Sequence, residues 1–386
     1  MAAEYAVASV TLAFTTAESN MRKSCLIFLL ALAVVETRLL SSLSGPELLR
    51  GVFAFSCFVK TLHFVNLFLI LRVEITQILP QTGTPSARLL AALNCVTSTR
   101  GIGTPWEVKP WTHRDRSQPP APKTTRRTYI TRTLLTLIWQ YAALDLLNFG
   151  AVRYFQREWP GALSEGAEFL GPASSKEQLL ARLPLSCLLL VNLRLLFSII
   201  YKIIALVVIG LFGGDPKNWP PLFGRVWDLR RFRVRDCWAA IQTHLLPTPA
   251  TGNPQLQQIT HLFLIFTISG ILHMLSAIYA GVPDNIGAIL LFFVGNAAAI
   301  VVEDVLRPRS RTGRGKDSET IWGRLIGSLG LLLWAYVSVP LFAYTALRIP
   351  VETNEVMPVS LVEEVGGRVV AGGVFVGWIG WTMVEG

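Results

Sequence analysis

Residues 260–282 read THLFLIFTISGILHMLSAIYAGV, an apolar run long enough to cross a membrane, with one histidine, His273, near its middle. A polar side chain at that depth is costly to bury, so the position needs a reason. The same hydropathy argument extends outward along the chain. Of its 386 residues, 52% are hydrophobic and 16% charged, and the apolar residues gather in blocks near 5–18, 24–42, 51–71, 129–149, 184–212, 260–281, 285–305, 325–346 and 367–384. The expected fold is therefore all-α: a polytopic integral membrane helix bundle of about eight or nine transmembrane helices. No basic region precedes the first block and no clear small-residue cleavage site follows it, so it is expected to stay in the mature protein.

Charge orients these spans independently. Basic residues cluster at Arg22–Lys23, across 100–132 with eight Lys or Arg, across 225–235 with five Arg, and across 307–316 with four Arg and one Lys. The positive-inside rule places all of them on the cytosolic side, and an even number of proposed crossings separates each neighbouring pair. The N-terminus is then luminal and the C-terminus cytosolic. The formal net charge of +10 is explained by topology and anionic headgroups; no nucleic-acid recognition motif occurs, and no nucleic-acid partner is expected. The same clusters are read first as topogenic, solvated charge and second as a means of holding an anionic co-substrate.

Several chemistries find no support. Cys25, Cys57, Cys95, Cys187 and Cys237 are odd in number and lack metal-ligand spacing, so neither a disulfide framework nor a metal site is expected. A phosphate-binding glycine loop is absent, which argues against a nucleotide-driven transporter. Two inter-span segments are more than connections. Residues 99–112, TRGIGTPWEVKPWT, combine turn-permitting glycines and a helix-breaking proline with interfacial tryptophans. Residues 215–247 carry an Asn-Trp-Pro-Pro turn followed by an amphipathic run of aromatics and arginines, suited to the cytosolic interface or to a re-entrant element.

Taken together and in order, RGIGTPWEVK, NWPPLFG followed by LRRF and a tryptophan, SGILHMLSA, FFVGNAAAIVVED and ETIWGRLIGSLGLLLW resemble the landmarks of wax-synthase-like membrane-bound O-acyltransferases. Within that group they are most similar to fungal acetyltransferases of terpenoid and meroterpenoid biosynthesis. The resemblance spans about 50 to 345 and implies transfer of an acyl group, acetyl by preference, from coenzyme A to the hydroxyl of a hydrophobic acceptor. It implies His273 as the catalytic histidine, helices around a substrate tunnel, acyl-CoA as a co-substrate with no tightly bound cofactor, and the endoplasmic reticulum as the membrane. The chain then divides into N-terminal spans at 1–50, an acyltransferase core at 51–346, and an acidic loop with a last span at 347–386. A long-chain wax-ester synthase, a catalytically impaired relative kept for binding, and a transporter are the competing readings.

The residues support the leading reading in their own terms. An alcohol attacks a thioester slowly at neutral pH unless a base takes its proton, and a histidine in a dry tunnel can do so, typically with roughly a hundred- to ten-thousand-fold effect. On position alone a hydrogen bond from His273 to a neighbouring helix explains it equally well. Ser269 and Gly270 lie three and four residues earlier, on the same helix face, and would leave room for substrate beside the ring. Where the family reads Phe-Trp-Gly-Arg-x-Trp-His, this chain has Phe232 to Ala239, without the histidine, so Asn218, Asp236 and His244 become candidate polar partners of His273. Arg225, Arg230, Arg231 and Arg235 could grip coenzyme A phosphates with their guanidinium forks. Asn296 and Glu303, seven apart, share one face of the next span and could line the tunnel, while Lys60 and His63 are polar insertions in the 51–71 span.

Overall fold

The computed structural model describes residues 2–42, 47–79, 83–97, 125–148, 153–172, 174–214, 216, 219, 254–282, 285–306, 321–348, 360–367, 370–371 and 373–374. Among the described residues all regular structure is helical. In chain order the helices are α1 (Ala2–Phe14), α2 (Asn20–Ser42), α3 (Glu47–Val65, extended by a π turn over Asn66–Ile70), α4 (Pro85–Thr97), α5 (Arg126–Leu146), α6 (Arg153–Glu158), α7 (Lys176–Phe212), α8 (Pro254–Tyr279), α9 (Ile286–Leu306), α10 (Ile321–Leu347) and α11 (Leu361–Val365).

Among the described residues, four helical stretches are long and apolar enough to cross a membrane: Arg50–Ile70, Lys176–Leu211, Ile259–Tyr279 and Ile286–Glu303. Only 22–33% of the residues in their most apolar windows are buried inside the protein. Exposed leucines and isoleucines such as Leu180, Leu211, Leu256 and Ile138 would form a large apolar surface in water, far beyond what a soluble monomer tolerates. Lipid is the solvent that fits them, and the protein is an integral membrane protein. Two shorter apolar helical stretches, Ala2–Phe14 and Leu329–Thr345, coincide with further blocks of the hydropathy reading.

Two compact units emerge, each assembled from separated parts of the chain. Met1–His113 with Arg233–Ser310 makes one, and Arg114–Phe232 with Arg311–Gly386 the other. In the first, α1 packs on α2 and α4, α2 on α3, α3 on α8, and α8 along α9. Its N-terminal core gathers Leu12, Leu26, Leu29, Phe64, Leu67, Phe68 and Cys95. Arg22 fastens this core. It is 1% exposed and donates to the carbonyl oxygens of Thr15 (2.7 Å) and Val73 (2.8 Å) and to Thr15 Oγ1 (3.2 Å), with its guanidinium 5.8 Å from the Phe68 ring centroid. The expectation of a solvated topology charge is corrected at Arg22, because three carbonyl and hydroxyl oxygens replace its water, whereas Lys23 beside it is exposed.

In the second unit α7 packs against α5 and α10. It begins at Lys176, eight residues before the expected block, because Ser175 and Gln178 form a reciprocal capping box: Gln178 N–H donates to Ser175 Oγ (3.2 Å) and Ser175 N–H to Gln178 Oε1 (2.9 Å). Pro184 lies inside its third turn without ending it. The helix stops where Gly213 takes φ 73° and Gly214 N–H turns back to Val208 O, a left-handed end that glycine adopts without strain. Arg182, also 1% exposed, donates to the carbonyls of Ala167, Glu168 and Tyr336, tying the 160–175 connection to α7 and α10. Arg348 adds an ion pair to the buried Glu168 carboxylate.

Candidate active site

His273 sits where α3, α8 and α9 meet. Its imidazole is stacked between two phenyl rings, Phe55 of α3 at 4.6 Å between centroids and 30° between planes, and Phe293 of α9 at 4.7 Å and 15°. Both flat faces are thereby covered, and the ring edge carries the nitrogen atoms.

Close helix approach creates this junction. Across α3 and α8, Gly51 replaces any side chain at the tightest point: a Cβ there would fall 2.9 Å from Ala280 Cβ and 3.0 Å from the Ser276 carbonyl oxygen. Ser276 Oγ donates to Gly51 O at 2.8 Å. His273, Ser276 and Ala280 recur at three and seven residues, one face of α8, while Phe55 lies one turn beyond Gly51 on α3. Across α8 and α9, Gly270 does the same, its absent Cβ being 2.8 Å from Leu290 Cδ1 and 3.2 Å from Phe293 Cβ. The two phenyl rings are therefore delivered by two glycine contacts.

Gly270 is buried against α9 and Ser269 is half-buried beside it. Asn296, one turn past Phe293, is half-buried and donates from Nδ2 to Phe292 O at 2.8 Å; Glu303 is half-buried two turns further on. These four residues are thus on the same pair of helices as His273. Asn218, Asp236 and His244, with Arg225, Arg230, Arg231 and Arg235, lie outside the described residues, as do Phe232 to Ala239 and the tryptophan segment at 99–112. Of the Asn-Trp-Pro-Pro turn, Trp219 is described: its ring centroid is 5.2 Å from that of Tyr201 on α7, and Tyr129 of α5 directs its hydroxyl to the Trp219 carbonyl at 3.5 Å.

The polar insertions of α3 have other partners. Lys60, 4% exposed, pairs with the carboxylate of Glu4 on α1 and with Glu36 of α2 at 2.5 Å. Cys57, one turn earlier, directs its thiol to Glu36 Oε2 at 3.4 Å. His63 makes a 3.0 Å hydrogen bond with the carbonyl oxygen of Cys95 on α4. The α3 helix thus uses one end to hold the N-terminal helices and the other to hold Phe55. Sequence reasoning missed Phe55, Phe293, Glu4 and Glu36. A phenylalanine in an apolar block carries no signal of its own, although Gly51 and Gly270, placed within such blocks, mark where helices can approach.

A half-buried imidazole held between two phenyl rings inside a helical membrane protein is a candidate for acid–base chemistry or polar recognition. Comparison with known proteins narrows it. The model of the membrane bound O-acyl transferase family matches residues 219–295, a segment that begins at Trp219 and includes both His273 and Phe293. Acetyltransferase pyr8 of Aspergillus fumigatus is 30% identical over 353 residues, covering 85% of this chain and 82% of that protein. Acetyltransferase atnC of Arthrinium sp is 26% identical over 316 residues, 74% of this chain and 69% of that one. Acetyltransferase ple2 of Rhodocybe pseudopiperita is 26% identical over 329 residues, 80% and 81% of the two chains. No solved structure matches the chain. The chain belongs to the membrane bound O-acyl transferase family, and it is an acyltransferase.

Proposed function

We propose that the protein transfers an acetyl group from acetyl-CoA to a hydroxyl of a hydrophobic alcohol, of the terpenoid or meroterpenoid class, with His273 as general base. The observation that carries this reading is the placement of His273 at the junction of three apolar helices, edge-on, inside the segment that matches the family. The relatives' names, all acetyltransferases, support acetyl as the group moved. In the reaction, one imidazole nitrogen takes the hydroxyl proton as the alcohol oxygen attacks the thioester carbonyl. The tetrahedral adduct collapses with cleavage of the carbon–sulfur bond, and the imidazolium returns the proton to the departing thiolate, leaving ester and free coenzyme A. His273 lies about 20 Å along α8 from Thr260 at 1.5 Å per residue, a depth that suits the extended pantetheine arm entering a tunnel from the cytosolic side. Arg225, Arg230, Arg231 and Arg235 would hold the phosphates at its mouth. Asn218, Asp236 or His244 would steady the imidazole, while Ser269, Gly270, Asn296 and Glu303 would flank the tunnel. The endoplasmic reticulum is the membrane assigned.

The test uses microsomes containing the full chain or its His273→Ala variant, labelled acetyl-CoA and palmitoyl-CoA, and a panel of terpenoid and long-chain alcohols, with products read by mass spectrometry. Acetyl ester from the intact chain and its loss in the variant, at equal expression, is the expected result. Ester formation that survives His273→Ala would overturn the base; palmitoyl esters of long-chain alcohols alone would overturn the acetyl and terpenoid assignment.

A further inference from the structure

We infer that Phe55 and Phe293 are positioning residues, which fix the plane of the His273 imidazole and restrict the reactants to its edge. The inference rests on the reading of His273 as general base and adds how that base is aimed. Three observations converge on it. The rings stand on both sides of the imidazole at 4.6 and 4.7 Å, with interplanar angles of 30° and 15°, so rotation of the imidazole about its Cβ–Cγ bond in either direction drives it into a phenyl ring. The clamp has no slack on the α3 side, where a Cβ on Gly51 would meet Ala280 Cβ at 2.9 Å and backbone at 3.0 Å, and Ser276 Oγ bonds Gly51 O at 2.8 Å. On the α9 side a Cβ on Gly270 would meet Phe293 Cβ itself at 3.2 Å, so the second ring is as tightly referenced to α8 as the first. Phe292 packs edge-on to Phe293 at 5.1 Å and 84°, bracing it from its own helix.

The chemical consequence is directional. A general base uses the lone pair in the ring plane, so only the edge is of use, and stacking faces would waste binding energy on unreactive orientations. A sandwich of two phenyl rings removes those orientations before substrate arrives. The attacking hydroxyl must then lie in the imidazole plane, which restricts both its approach and the torsion of the acceptor that carries it. Orientation of this kind is worth large rate factors, and misplacement of the order of an ångström can cost about a hundredfold.

Four variants of the full chain are compared in microsomes: Phe55→Leu, Phe293→Leu, and the ring-preserving Phe55→Tyr and Phe293→Tyr. The probes are labelled acetyl-CoA and whichever alcohol of the panel the intact chain esterifies, with rates normalised to monodisperse protein after detergent extraction. In parallel, diethylpyrocarbonate modification of His273 is mapped by mass spectrometry, a readout that needs no turnover. Each leucine variant is expected to lose about tenfold or more in kcat, with KM for acetyl-CoA changed less than about twofold. The tyrosine variants should recover most of the rate, and modification at His273 should become faster in the leucine variants as the freed ring can turn its nitrogen edge toward the reagent. If His273→Ala abolishes transfer while the leucine variants, extracted in normal yield, keep their kcat, the positioning role is overturned and the base stands. Losses confined to yield, with kcat per folded molecule intact, would likewise reduce the two phenyl groups to packing. If instead His273→Ala remains active, it is the underlying reading that fails.

Discussion

Replacing Lys60 with methionine is the most demanding test of the N-terminal packing. The ammonium is held by Glu4, with both side chains only 2% exposed, and by Glu36, which keeps 21% of its surface. Methionine fills similar volume but leaves the Glu4 carboxylate without its cation inside an apolar helix cluster. Breaking a buried ion pair from one side costs about 3–5 kcal/mol, because an uncompensated charge remains. Removing both signs of charge together is far milder, since neutral side chains of similar volume often replace a buried pair with no loss. Unfolding entropy of about 2.1 cal/mol/K per residue gives about 0.8 kcal/mol/K for a 386-residue chain. The single variant should therefore melt about 4–6 °C lower than the native protein, and a triple variant with Lys60→Met, Glu4→Gln and Glu36→Gln should recover most of that. Glu36→Gln alone should be the mildest single change, because its carboxylate already has solvent or headgroup access. The assay is thermal melting of detergent-extracted protein followed by fluorescence-detected size exclusion. A Lys60→Met melt equal to the native one, or a triple variant no better than the single, would refute the reasoning.

Gly51→Ala places a methyl group 2.9 Å from Ala280 Cβ and 3.0 Å from backbone, neither of which can swing aside; overpacking of this kind costs about 1–3 kcal/mol, against a helix-propensity gain of at most about 1 kcal/mol, so the same melting assay should show a net loss. Arg22→Met removes one buried and two part-buried hydrogen bonds and takes the donor from the buried Val73 carbonyl, a loss of about 2–4 kcal/mol, while Lys23→Met next to it should stay within about 0.5 kcal/mol of the native protein. Equal effects at Arg22 and Lys23 would return both to the role of topology charges.

The sequence by itself determined the solvent of this protein and its helical class, and it singled out His273 as a polar side chain inside an apolar run. Hydropathy is a sum over neighbours in the chain, so blocks such as 184–212 and 260–281 announce themselves wherever they pack, and a lone His273 inside one stands out by its chemistry alone. The C-terminal end of α7 was legible for the same local reason, the apolar block ending at 212 just before the glycine pair Gly213–Gly214, whereas its start at Lys176 was not, because the first turns after the Ser175–Gln178 capping box lie outside that block. What the tertiary structure decided were the partners. Glu4 and Glu36 stand 56 and 24 residues from Lys60, and nothing in either local sequence selects the other. Phe55 and Phe293 are indistinguishable in sequence from lipid-facing phenylalanines, because which face of a helix meets protein is set by helix rotation and by where glycine lets a neighbour come close. Arg22 and Lys23 are adjacent and alike in charge, yet one is sealed among carbonyl oxygens and the other is exposed. Adjacent residues on a helix point about 100° apart, and only the packed neighbours turn that angle into burial or exposure.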